Sequence, residues 1–344
     1  MRRRNLLAGA GGLAAAGLAG CAGLVTTEPA GAPPVLDDRP DAVYFPTHVE
    51  GMRMAGMGRA GSYRFALTYS YPHRFWNVNG REATLTEIAS EDDVHLMTTV
   101  WDEETGQILP ETGLSLEIQR DGELVSQEVI YPMLSQPMGF HYGANFGLDG
   151  DGSYEVTAAV GGVSTRRSGG FVGRFGDPAS ATISFDFSAA ERDEIPFENT
   201  PDRAGERAAV EPMAMEGMPS GQARPVDDLP GVVGEATSGD ARFVVGVRDA
   251  PPEGVDGRER YLYASVRTPY NAMVIPAMAM TASTGDFEGE LTRTLDPELG
   301  YHYGAAVDTI GNVVGIEPTL PPQTARHEGY ETAFMSFDPI EVTV

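Results

Sequence analysis

Tyr63-Arg64-Phe65-Ala66-Leu67-Thr68-Tyr69-Ser70-Tyr71 puts a large apolar side chain at every second position, the period of a strand with one face in a core. Outward from it, Val94 to Trp101, Leu114 to Ile118 and Thr182 to Phe187 continue in kind. Asp102 to Gly106, Asp121-Gly122 and Asp149-Gly150-Asp151-Gly152 supply turns between these runs. Beyond the N-terminal segment no stretch offers a capped, 3.6-residue apolar period. Short strands with frequent turns predict an all-β chain of β-sandwich type.

The chain also repeats itself. Val49-Glu50-Gly51-Met52-Arg53-Met54-Ala55-Gly56-Met57 returns 161 positions later as Val210-Glu211-Pro212-Met213-Ala214-Met215-Glu216-Gly217-Met218. At the same offset Gly139-Phe140-His141-Tyr142-Gly143-Ala144 returns as Gly300-Tyr301-His302-Tyr303-Gly304-Ala305. Two matches at one offset, both holding scarce Met or His, point to a tandem duplication. The expected plan is a leader over 1–21, a flexible tether over 22–41, one sandwich over 42–188, an acidic linker over 189–202 and a second sandwich over 203–344. Within the second copy, Arg242-Phe243-Val244-Val245 parallels Arg64-Phe65-Ala66-Leu67, and Tyr261-Leu262 parallels His95-Leu96. Pro- and Gly-rich residues 219–240 read as a loop.

The 344 residues carry 50 acidic side chains against 24 basic ones, every basic one Arg. Such a surface repels nucleic acid. The Debye length is about 3 Å in molar salt, so the acidic excess without Lys predicts a halophilic protein. Arg2-Arg3-Arg4 followed by an apolar run from Leu6 to Ala19 resembles a twin-Arg secretion signal. That run is shorter than the roughly 20 residues of a membrane span. Leu18-Ala19-Gly20-Cys21 resembles a lipobox, which makes Cys21 the lipidation site and membrane lipid a partner. Cys21 is the sole cysteine, so disulfides, Cys-based zinc sites, blue copper and Cys catalysis are excluded within the chain.

A P-loop needs Lys and there is none; the calcium-like start at Asp149 lacks the later Gly and Glu and reads as a hairpin turn. No Ser-His-Asp arrangement stands out, and the chain reads as a binding protein rather than an enzyme, with no catalytic residues. The remaining chemistry lies in Met and His. Thioether with imidazole suits Cu(I), and imidazole suits Cu(II), Zn or Fe. The plain alternative is Met as adaptable core filler and His-Tyr-Gly as a turn, which would leave a structural or interaction module. A copper redox protein is a further alternative.

Pro132-Met133-Leu134-Ser135-Gln136-Pro137-Met138-Gly139-Phe140-His141-Tyr142-Gly143-Ala144-Asn145 resembles the core motif of the periplasmic high-affinity ferrous-iron transport protein family. That resemblance implies immunoglobulin-like sandwiches, usually dimeric, that bind copper or iron beside a permease. It implies Met133 and His141 as metal ligands in copy one. In copy two it implies His302 and His327, the latter matching the family's late Arg-His. Met52, Met57, Met213 and Met218 are further candidate ligands, with His48, Glu50, His73, His95 and Met138 as weaker ones. The chain departs from the pattern: His48-Val49-Glu50 lies earlier than the family's His-x-Glu, copy one has Arg166-Arg167 at the late His, and copy two has Thr294 at the Met. Neither copy is complete, which leaves weakened, altered and shared sites all open.

Overall fold

The structure is a computed structural model that describes residues 33–257 and 259–344. The leader, Cys21 and most of the tether lie outside the described residues. No helix among those described is long and apolar enough to cross a membrane.

The chain is all-β, as its alternation predicts, and its strands form sandwiches. Tyr63–Ser70 is a strand buried at every position but Arg64; it pairs with Arg53–Ala60 at one edge, and Tyr63, Phe65, Leu67 and Tyr69 belong to the apolar core. The larger sheet of the first half runs Arg53–Ala60, Tyr63–Ser70, Val94–Asp102, Gly139–Phe146, Tyr131–Ser135, Ala325–Arg326, Phe75–Asn79 and Glu82–Thr86. Facing it, Ala179–Phe187, Gly152–Val160, Leu114–Arg120 and Glu123–Val129 form the second layer. Ala179–Phe187 alternates buried and outward positions along its length, so one face meets the core and the other solvent.

The second half repeats the plan. Arg166–Arg167, Thr292–Asp296, Gly300–Val307, Arg260–Arg267, Ala241–Arg248 and Val232–Ser238 form one sheet. Phe287–Glu290, Ala279–Thr284, Val313–Leu320 and Ile340–Thr343 form the other. Register makes the equivalence residue by residue. His141 stands opposite Met133 as His302 stands opposite Thr294. Leu96 pairs Ala144 as Leu262 pairs Ala305.

Each half lends the other a strand. Ala325 and Arg326 pair parallel with Met133 and Leu134 of the first half. Arg166 and Arg167 pair parallel with Thr294 and Leu295 of the second. One connected apolar core runs through both halves, from Phe65 and Leu116 to Phe243 and Ile316.

Two readings need correction. Residues 219–240 are not wholly loop: Val232–Ser238 is a strand on Ala241–Arg248, with a bulge between Val232 and Gly234. Glycines at 231, 234 and 239 hide its alternation, and only the cross-strand partner reveals it. The acidic stretch after 188 is also structured, with a helix at Ala189–Asp193 and a strand Phe197–Asn199 paired to His48–Glu50.

Candidate metal centre

Three imidazoles converge inside the first sandwich. His95 sits on Val94–Asp102, a strand buried along its whole length. His141 sits on the adjacent strand Gly139–Phe146. His327 follows the lent strand, and its backbone N–H donates to the Leu134 carbonyl at 3.0 Å. One ring nitrogen from each lies within 4.8 Å of the others.

For His95 and His141, outward partners fix which nitrogen is free. His95 Nδ1 lies 2.7 Å from Asn145 Oδ1, and His141 Nδ1 lies 3.1 Å from the Gly139 carbonyl. A carbonyl only accepts, so Nδ1 of His141 carries the proton. Asn145 is oriented by the His73 backbone: its Oδ1 accepts from His73 N at 3.0 Å and its Nδ2 donates to His73 O at 2.8 Å. His95 therefore also donates from Nδ1. The lone pairs are left on Nε2, and the Nε2 atoms of His95, His141 and His327 are all buried without a hydrogen-bond partner. Buried polar atoms are normally satisfied; three unpartnered ring nitrogens in one cluster are what a metal site would use, and two of the rings, those of His95 and His141, are aimed by second partners.

Met133 adds a thioether. It is fully buried beside Phe75 and Ala325 and lies across from His141. A Cβ placed on Gly143 would sit 2.7 Å from His95 Nε2 and 3.0 Å from Met133 Sδ. Glycine in the His-Tyr-Gly motif thus leaves room for the ring from the next strand.

Burial keeps these imidazoles neutral: desolvation pushes His95 down to about 3 and His141 down to about 4. His327 and His73 are held well below the usual histidine range by desolvation first and by neighbouring imidazoles second. Neutral imidazole is the metal-binding form.

A further group surrounds the cluster. The His73 ring lies 4.5 Å from that of His95 and 5.0 Å from that of His327. Glu50 approaches His48 Nε2 at 2.9 Å and His73 Nδ1 at 3.6 Å. A cavity of about 80 Å³ lies here, lined by His48, Glu50, His73, Met52, Met138 and His327. Met52 also lines an open groove with Met54, Met213 and Met215. Met57 is 41% exposed, its methyl beside Gly217, and Met218 packs against the core margin. The duplicated Met clusters therefore face each other along the approach and stand outside the imidazole cluster.

The second sandwich arranges the same positions otherwise. His302 Nδ1 meets the Gly300 carbonyl at 3.0 Å, as in copy one, but its Nε2 is engaged by the Tyr261 hydroxyl at 2.8 Å. Tyr261 occupies the register of His95, Thr294 that of Met133, and Ser168 that of His327. Arg166 fills the middle: Nε donates to Thr294 Oγ1 at 3.0 Å, and Nη2 to Tyr261 Oη at 3.1 Å and the Gly304 carbonyl at 2.8 Å. Its guanidinium brings the positive charge an ion would supply. His302 is thus separated from the three-histidine cluster, and His327, which belongs to copy two in sequence, stands in copy one's site. Sequence reasoning assigned no role to Asn145 or Arg166, although Asn145 closes the quoted motif.

A family model described as a domain of unknown function, DUF7350, matches residues 227–343. No curated protein matches the chain. A copper-bound variant of FetP from uropathogenic Escherichia coli strain F11 is similar over 40% of this chain and 97% of its own, at 24% identity and a TM-score of 0.33. As-isolated FetP from the same strain is similar over 40% of this chain and 96% of its own, at 21% identity and a TM-score of 0.31.

Proposed function

We propose that this is an extracytoplasmic binding protein, held at a membrane surface through Cys21, that carries one copper ion between Met133, His95, His141 and His327. The observation behind this reading is a buried three-histidine cluster whose Nε2 atoms all lack hydrogen-bond partners, beside a thioether. One thioether and three imidazoles suit copper in both oxidation states; iron shares the imidazole preference but gains little from the sulfur. Glu50, His48 and the Met groove form a graded approach from soft surface donors to the buried set. Uptake of copper or iron through a permease is the role such a carrier would serve, as the resemblance of the Met133–Asn145 motif implies. The chain carries both halves of what the family's dimer assembles, so a homodimer is not required for the site.

The test is metal analysis of the mature protein purified in molar KCl, after anaerobic loading with Cu(I) and, separately, with Cu(II) or Fe(II). One copper per chain, lost in His141→Ala, is the expected result. A chain that retains no copper, or retains it equally without His141, would overturn the reading.

A further inference from the structure

We propose that a second, unrelated cleft, between the two halves of the chain, binds a small polycarboxylate. This cleft encloses about 580 Å³, within the range of small-molecule sites. Its walls carry Arg224, Arg242 and Arg267 and no Asp or Glu, in a chain with twice as many acidic as basic residues. Elsewhere, arginines such as Arg53, Arg174 and Arg293 lie against carboxylates.

The arrangement of charge is costly as it stands. Arg242 and Arg267 are direct cross-strand partners, and like charges so placed repel. Arg242 has Glu235 on its outer side. Arg267 is 1% exposed and has no carboxylate partner among the described residues. Its Nη atoms donate to the Arg224 carbonyl at 2.8 Å and Ser265 Oγ at 2.7 Å, and its Nε has no partner. Among the described residues, the Arg224 guanidinium donates to the Pro297 carbonyl alone. Burial and the Arg242 charge lower Arg267 to about 10, so it stays cationic at neutral pH. A buried cation without an anion is expensive, and a bound carboxylate would offset that cost through charge-assisted hydrogen bonds.

The rest of the lining narrows the ligand class. It includes the Thr105–Ile108 turn of the first half, where both amide atoms of Gln107 are buried without partners. Gln107 Nε2 can donate to a carboxylate, and Oε1 can accept from a hydroxyl. Ile108, Val226, Val274 and Leu299 line the same space and suit a carbon skeleton. Inorganic phosphate would leave the apolar residues and Gln107 Oε1 without partners, so a hydroxy-polycarboxylate fits the lining best.

The test is calorimetric titration of the metal-free mature chain in molar KCl with citrate, with tricarballylate (which lacks the hydroxyl), and with inorganic phosphate. Saturable 1:1 binding of citrate is expected, with weaker tricarballylate and negligible phosphate. Arg242→Gln should weaken citrate by about ten-fold, the worth of one charge-assisted bond. Gln107→Leu should reduce the preference of citrate over tricarballylate. Metal-free protein keeps citrate's chelation of the histidine site out of the readout, and circular dichroism checks the fold of each variant. No citrate binding, phosphate binding as tight as citrate, or an unchanged Arg242→Gln would overturn the proposal.

Discussion

Arg166, from the first half of the chain, hydrogen-bonds Tyr261 of the second at 3.1 Å, at the place where His95 and His327 face each other in the opposite sandwich. One half holds an ion-ready set of lone pairs and the other holds a built-in cation. The expected copper stoichiometry is therefore one per chain, unchanged in His302→Ala and abolished in His327→Ala. Equilibrium dialysis in molar KCl with copper quantified by mass spectrometry distinguishes this from two independent sites.

Gly143→Ala should close the site. The added methyl would lie 2.7 Å from His95 Nε2, and overpacking of this kind costs about 1–3 kcal/mol. Copper affinity should fall at least about ten-fold, because the methyl occupies the space between two ligands. Unchanged affinity in this variant would show that the metal lies elsewhere.

Asn145→Ala removes the acceptor that holds the His95 proton on Nδ1. Loss of such a supporting partner weakens metal affinity by about 10–100-fold. The fold should survive, since Asn145 is only half-buried. Competition against a chromophoric copper chelator reads the change directly.

Acid should unfold the metal-free protein early. Above pH ~6.5 the two histidines are neutral in both states and contribute nothing. Below it the unfolded chain takes up protons that the folded one refuses down to about 3 at His95 and about 4 at His141. Stability should therefore fall as pH drops from ~6.5 toward 4, by about 1.4 kcal/mol per pH unit for each histidine. Thermal unfolding of the double variant His95→Gln/His141→Gln should show a flatter slope over that window.

Dilute buffer should loosen the fold. The formal charge is −26 with no Lys, and lowering salt from 1 M to 0.01 M lengthens the Debye length from about 3 Å to about 30 Å. Repulsion among carboxylates then acts across the whole surface, most strongly in the compact state. Circular dichroism over a KCl titration should show structure lost below molar salt and regained above it. A melting temperature flat from 0.05 M upward would contradict this.

Strand alternation at Tyr63–Tyr71 made the all-β class legible because side-chain period is local. The shared offset of His141 and His302 predicted their matching registers for the same reason. Partners set by long-range pairing were not legible. Nothing in Thr324-Ala325-Arg326-His327 signals that it leaves its own sandwich to lie beside Met133, and the same holds for Arg166. His95 was legible only as a weaker candidate ligand, since the His327 ring beside it comes from more than 200 positions away in the sequence. The strand at Val232–Ser238 was masked by its glycines.

The exchanged strand also sets a biosynthetic clock. His95, Met133 and His141 are synthesised with the first sandwich, whereas His327 is made only after most of the second. His327 is delivered by Ala325–Arg326 docking between two strands made long before it. On the proposed copper reading, a nascent chain that has not yet reached Ala325–Arg326 presents three of the four donors, and the set is complete only after that strand of the second sandwich has been made.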